Sequence, residues 1–186
     1  VGGDVIRLAG ANRFDTAFKS ADALKEVMGV DKFPAAIVTS GMNFADALAG
    51  SYLAAEMDAP ILLTDNDNMA DVIDYILENV EEGGVVYALG GTTIVSDTLR
   101  AVTNSGYTFK RLAGASRFET NLMILEEAGI DSGDPVLVCT AYNFADSLSA
   151  SALGLPILLV DDTVSAAQMA FLNENTDGEF VLVGGT

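Results

Sequence analysis

Arg13 and Arg117 each follow a polar residue, Asn12 or Ser116, inside the near-identical phrases RLAGANRF (Arg7–Phe14) and RLAGASRF (Arg111–Phe118). Asn and Ser are good helix N-caps, so each arginine would open a helix. A cation there meets the positive end of the helix dipole, which costs about 0.3–1 kcal/mol. Two such placements in a chain with nine basic residues imply an anion beside each. The internal candidates are Asp46 and Asp146, which start the next helix in each copy; an Arg–Asp clamp would tie two strand-to-helix joints together. The external candidate is an anionic ligand at the carboxyl edge of a parallel sheet, where open α/β sheets bind ligands. The two coexist if the guanidinium keeps donors to spare. Arg7 and Arg111 open the same phrases and complete the candidate set.

Other chemistries lack their residues. The chain has no histidine, which removes the commonest general base and metal ligand. Its single cysteine, Cys139, lies in VLVCTA and reads as a buried, inert thiol. Asp65-Asn66-Asp67-Asn68 reads as a solvated acidic loop rather than a cation site. The GGT triplets at Gly90–Thr92 and Gly184–Thr186 shape turns or free backbone N–H groups, but no phosphate-binding loop accompanies them. No catalytic residue, metal or cofactor is expected.

The elements that carry the arginines repeat. NFADALAGS (Asn43–Ser51) matches NFADSLSAS (Asn143–Ser151), PILLTD (Pro60–Asp65) matches PILLVD (Pro156–Asp161), and LGGT (Leu89–Thr92) matches VGGT (Val183–Thr186). The offset falls from 104 to 100 to 96 to 94 along the chain. The two drops of four are each about one helical turn, so copy two is copy one with two shortened helices. AAIVTS, PILLTD, VVYALGG, VLVCTA, PILLVD and FVLVGG read as strands buried on both faces of a parallel sheet. Met69, Val72, Ile73, Ile76, Leu77 and Val80 form an apolar helical stripe over 69–82, and a further helix is expected near 93–104. The expectation is α/β, in two tandem related units, each a small, mostly parallel sheet flanked by helices. The units are residues 1–105 and 106–186, the second incomplete at its C-terminus. Arg7-Leu8 and Arg111-Leu112 would end strands. Asn12, Ser116, Asn43 and Asn143 are read as caps, Ser116 and Glu119 as a capping box, and Asp46 and Asp146 as caps or clamps.

Half of the 186 residues are apolar, and the net charge is −18. That charge excludes nonspecific binding to nucleic acid or anionic membranes, which needs a basic face. Between Phe33 and Leu99, and after Arg117, there is no Lys or Arg at all.

The blocks RLAGANRFDTA, GMNFADALAGSYLAA, APILLTD and YALGGT, recurring in order over nearly the whole chain, resemble the type 2 cell-wall-binding repeats of Gram-positive, especially clostridial, surface proteins. The resemblance implies a flavodoxin- or Toprim-like α/β fold and a secreted, noncatalytic anchor on the cell wall. Its ligand would be an anionic wall polymer, a secondary polysaccharide or teichoic-acid-like chain. It adds the P-I-L-L motifs to the ligand-binding set: Pro60, Ile61, Leu62 and Leu63, and Pro156, Ile157, Leu158 and Leu159. The alternative is a structural or oligomerisation module whose repeats pack with a third repeat or as a homo-oligomer, the arginines being internal clamps.

Overall fold

The continuously apolar runs of each copy become strands of two parallel sheets flanked by helices; the last run, FVLVGG, expected to be buried on both faces, lies instead at a sheet edge with Phe180, Val181 and Leu182 exposed. The structure, a computed structural model, describes residues 4–130, 133–175 and 177–184. In chain order the elements are α1 (Arg13–Met28), β1 (Phe33–Ser40), α2 (Ala45–Glu56), β2 (Ile61–Thr64), α3 (Met69–Asn79), β3 (Val80–Leu89), a 3₁₀ helix (Asp97–Ser105), β4 (Thr108–Leu112), α4 (Arg117–Ala128), β5 (Val136–Thr140), α5 (Phe144–Ser151), β6 (Ile157–Val160), α6 (Ala166–Glu174) and β7 (Phe180–Val183). The first sheet has the order β2-β1-β3-β4 and the second β6-β5-β7, with every pairing parallel. No described helix is long and apolar enough to cross a membrane.

The drops in repeat offset fall where expected. α1 has 16 residues and its counterpart α4 has 12; α2 has 12 and α5 has 8. Each pair differs by about one turn, so the joints at the strand ends stay in place while the helices vary.

Three further local expectations change. The stripe ending at Val80 does not stay helical: α3 stops at Asn79, and the fully buried Val80 starts β3. Gly83 (φ 81°) and Gly84 follow Val80, and a Cβ at Gly84 would lie 2.7 Å from the Pro34 carbonyl oxygen. That close approach suits a strand and not a helix. The helix expected near 93–104 forms as the 3₁₀ helix of 97–105. Arg7-Leu8 ends no strand; residues 4–10 have no regular structure, and Val5 and Ile6 are exposed. The matching segment of copy two is β4, which has β3 to pair with. A strand needs an edge, and Arg7-Leu8 has none among the described residues.

β4 therefore crosses from the second repeat into the first sheet. Behind it, α2 packs against α4, and one apolar cluster takes Ile37, Leu53 and Leu89 from the first unit and Ile124, Leu137 and Ile157 from the second. The outer face of the first sheet forms a separate cluster under α3 and the 3₁₀ helix.

Candidate functional site

Parallel strands deliver the ends of β1, β2 and β3 and the starts of the following helices to one edge, and the repeated phrases lie along it. The Asn12 side chain accepts the Asp15 N–H, and Ser116 accepts the Glu119 N–H. Next to these caps, Gly10 N–H donates to Thr16 Oγ1 and Gly114 N–H to Thr120 Oγ1, each at 3.0 Å. A Cβ on Gly10 or Gly114 would come within 2.3 or 2.2 Å of the Cβ of Asp15 or Glu119, so only glycine fits. The capping box differs from its expected form. Glu119 Oε2 accepts from Ala115 N–H, one residue before the cap, and Asp15 Oδ2 does the same with Ala11. Asn143 caps α5 by accepting Ala145 N–H. Asn43 accepts Ala45 N–H, but the residue flanking α2 is Phe44.

The two post-cap arginines do not form the expected Arg–Asp clamps. Arg13 Nη1 donates to the Gly41 carbonyl, and Arg117 Nη1 to the Ala141 carbonyl at 2.7 Å. Among the described residues neither makes an ion pair with an aspartate. The acids turn elsewhere: a Cβ on Gly90 would lie 2.8 Å from Asp46 Oδ2, and one on Gly184 would lie 3.3 Å from Asp146 Oδ2. Gly90, at φ 98°, thus both turns the chain after β3 and makes room for Asp46. The second triplet lies partly outside the described residues, at 185–186.

Asp46 is 8% exposed, and its carboxylate accepts no hydrogen bond among the described residues. Burial raises its pKa above the ordinary carboxylate range, and the positive field of Arg117, from the other unit, opposes the rise. A raised folded-state pKa means that ionisation weakens the fold; the cost is complete above that pKa and fades as pH falls through it. Asp46→Asn is therefore expected to raise the melting temperature at pH 7, with the gain shrinking toward about pH 4, the ordinary carboxylate range. Melts of both proteins across pH check it; a gain that does not change with pH would rule out the titration.

The four arginines have separate fates. Arg111 Nη1 donates to the Gly90 carbonyl at 2.7 Å and Nη2 to Asp97 at 3.0 Å, fastening β4 to the end of β3. Arg117 is partly buried and lies over the Tyr142 ring, 5.7 Å from its centroid. Arg7 is exposed and has no partner among the described residues. Arg13 is exposed, and the Gly41 carbonyl is its one acceptor among the described residues. It lines a groove of about 390 Å³ with Ser40, Gly41, Met42, Phe44 and Leu63.

The P-I-L-L motifs divide likewise. Leu62, Ile157, Leu158 and Leu159 are at most 1% exposed and pack in the core. Pro60 and Pro156 are also buried, while Ile61 and Leu63 are half-buried and Leu63 alone reaches the arginine groove. Buried side chains cannot touch a ligand without unfolding, so at those positions the motif supplies strand packing. Cys139 is buried as expected, with its thiol pushed up to about 11 by burial and by Asp146. Asp65 Oδ1 accepts the N–H groups of Asp67 and Asn68, and the described residues hold no cluster suited to a metal.

Sequence reasoning missed several participants at this edge and the unit junction. Phe44 and Phe144 meet across the two units with ring centroids 5.8 Å apart. Tyr142 donates to Asp161 Oδ2 at 2.8 Å. Tyr87 donates to Glu127 Oε1 at 2.9 Å, and Lys110 pairs with the same oxygen. Asn121 sits on the backbone of β6. The repeat comparison carried a signal for two of these, as departures: Tyr142 stands where copy one has Met42, and Asn121 where it has Ala17.

The capped joint, present twice, has known counterparts. The family described as cell wall binding domain 2 (CWB2) matches residues 7–100 and 111–186. The chain belongs to the cell wall binding domain 2 family. As a CWB2 chain it is a cell-wall-associated binding module, with a place at the cell wall or surface. It is 25% identical to the N-acetylmuramoyl-L-alanine amidase LytC of Bacillus subtilis (strain 168), over 98% of this chain and 36% of that protein. It is 30% identical to the amidase enhancer of the same organism, over 99% of this chain and 25% of that protein. The CWB2 chain thus spans about a quarter to a third of the curated relatives it matches. In structure it is similar to Cwp8 from Clostridium difficile, with TM-score 0.82 and 27% identity over 96% of this chain and 30% of that one. Cwp6 from the same organism shares the fold at TM-score 0.72 and 21% identity, over 95% of this chain and 28% of that one.

Proposed function

We propose that this CWB2 chain is a noncatalytic anchor that holds a secreted polypeptide on the Gram-positive wall by binding an anionic wall polymer, with Arg13 as the leading contact and Arg117 as the second. The observation that supports this reading is the state of Arg13. A guanidinium carries five N–H donors; Arg13 gives one of its nitrogens to Gly41 and borders an open groove beside Leu63. Its helix-start position, unfavourable for a lone cation, becomes favourable when a phosphate or carboxylate lies on the same N-terminus. The relatives support the anchoring role: one is an amidase and one an amidase enhancer, and in each the matching region is a minor part of the protein.

A net charge of −18 repels a polyanion, but that repulsion is screened over about 8–10 Å at moderate salt, so a contact confined to the arginine edge suffices. Arg111 fits the clamp reading instead, since Gly90 and Asp97 already hold it. Cosedimentation with purified walls tests the proposal. Arg13→Ala with Arg117→Ala is expected to weaken binding at least tenfold, the order of one or two charge-assisted hydrogen bonds, while circular dichroism stays unchanged. Undiminished binding by the folded double variant would overturn the site.

A further inference from the structure

The two copies present different side chains at one exposed position beside the post-cap arginine. Met42 directly follows Gly41, whose carbonyl accepts from Arg13; Tyr142 directly follows Ala141, whose carbonyl accepts from Arg117. Met42 is 70% exposed and Tyr142 is 61% exposed. A single exposed apolar side chain needs no explanation, but a large one at the same repeat position in both copies, each time next to a cation, marks a contact surface. The position is not open for want of a neighbouring unit, since Met42 stays exposed although unit two already packs against unit one.

Tyr142 differs from Met42 in being exposed yet held. Its hydroxyl donates to Asp161 Oδ2 at 2.8 Å, bridging the loop after β5 to the residue after β6. Phe118 meets its ring at a steep angle with centroids 6.4 Å apart, and the Arg117 guanidinium lies 5.7 Å from its centroid. A side chain already fixed loses little further freedom when a ligand settles on it. Methionine has three rotatable bonds and no flat face, so Met42 offers an adaptable contact instead. Asp161 and Phe118 also line a cleft of about 240 Å³ with Ser116, Glu119, Thr163 and Ser165. Carboxylates and side-chain hydroxyls of this kind match the donors and acceptors of sugar hydroxyl groups.

We propose that Tyr142 is a stacking platform for a sugar ring of the wall polymer and makes the second copy selective for an anion carried on a ring. The C–H face of the sugar rests on the aromatic face, which is apolar and carries negative potential. Its hydroxyls reach the cleft at Asp161. The anionic group meets Arg117, whose hydrogen-bond acceptor among the described residues is the Ala141 carbonyl alone, which leaves other donors of the guanidinium for it. Copy one, with Met42, takes an anion with or without a ring. The inference rests on the wall-polymer reading and adds to it a side chain that reads shape where the arginines read charge.

Two small probes separate ring from charge. Glucose 6-phosphate and glycerol 3-phosphate both carry a phosphate monoester, and only the first carries a ring. Used as competitors of cosedimentation with purified walls, glucose 6-phosphate is expected to displace the wild-type chain at about three- to tenfold lower concentration, the order of one aromatic contact. Tyr142→Met installs the residue that copy one carries at this position, and it is expected to remove the preference with an unchanged melting temperature. Tyr142→Phe keeps the ring and is expected to keep part of the preference. A wild-type chain without the preference would overturn the platform, as would a Tyr142→Met chain that retains it. A Tyr142→Phe loss as complete as that of Tyr142→Met would assign the effect to the hydroxyl and also overturn it. In each of these cases the Arg13→Ala, Arg117→Ala double variant still reads the charge contact by itself. Wild-type wall binding by that double variant would instead remove the polymer reading and the platform with it.

Discussion

Asn121→Ala is expected to lower the unfolding free energy by about 2–4 kcal/mol, among the largest single effects in this chain. Asn121 is fully buried on α4 and faces β6, the edge strand of the second sheet. Its Nδ2 donates to the Ile157 carbonyl and its Oδ1 accepts the Leu159 N–H, both at 2.8 Å. One side chain thus stands in for the neighbouring strand that β6 lacks. Alanine would leave a buried N–H and a buried C=O unpaired, each costing about 1–3 kcal/mol. For a chain of this length the loss corresponds to a melting-temperature drop of roughly 5–15 °C. Thermal and denaturant unfolding check it. A drop within experimental scatter would show that water or backbone movement satisfies β6 in its place.

Ile124→Ala is expected to cost about 2–5 kcal/mol and to act on both units at once. Ile124 is fully buried on α4, one turn from Asn121, in the cluster that joins Leu53 and Leu89 to Leu137 and Ile157. A cavity there removes contacts from both sides of the junction. Since the two repeats share this core, the wild-type chain is expected to unfold in a single calorimetric transition and the variant in a single, lower one. Ile124→Val, which removes one methyl group, should cost only about 0.5–1.5 kcal/mol. Two resolved wild-type transitions would show that the repeats fold independently and that the shared cluster contributes little.

The joints were readable because they depend on near neighbours. An N-cap, a glycine under a helix start and an apolar strand each involve residues a few positions apart, and duplication marked which ones matter. Even the helix lengths were visible, since a loss of four residues removes about one turn and leaves the joints intact. The arginine contacts were harder to read. The sequence offered Asp46 or an external anion as the partner of Arg13, and only the path of the chain placed the Gly41 carbonyl on Nη1 and turned Asp46 toward Gly90. The P-I-L-L motif misled for a related reason: a run apolar on both faces says that a strand is buried, and the same burial removes most of its side chains from any ligand.

By itself, the sequence determined the fold class, the tandem repeat and the caps at Asn12, Ser116 and Asn143. Those features follow from side-chain type and short-range spacing. Only the tertiary structure decided which arginine is held by protein and which faces a groove, that β4 belongs to the first sheet, and that Asn121 closes an edge of the second. These are contacts between residues tens of positions apart. They are fixed by the path of the chain and by packing between elements, including that of α2 against α4, which no short-range pattern specifies.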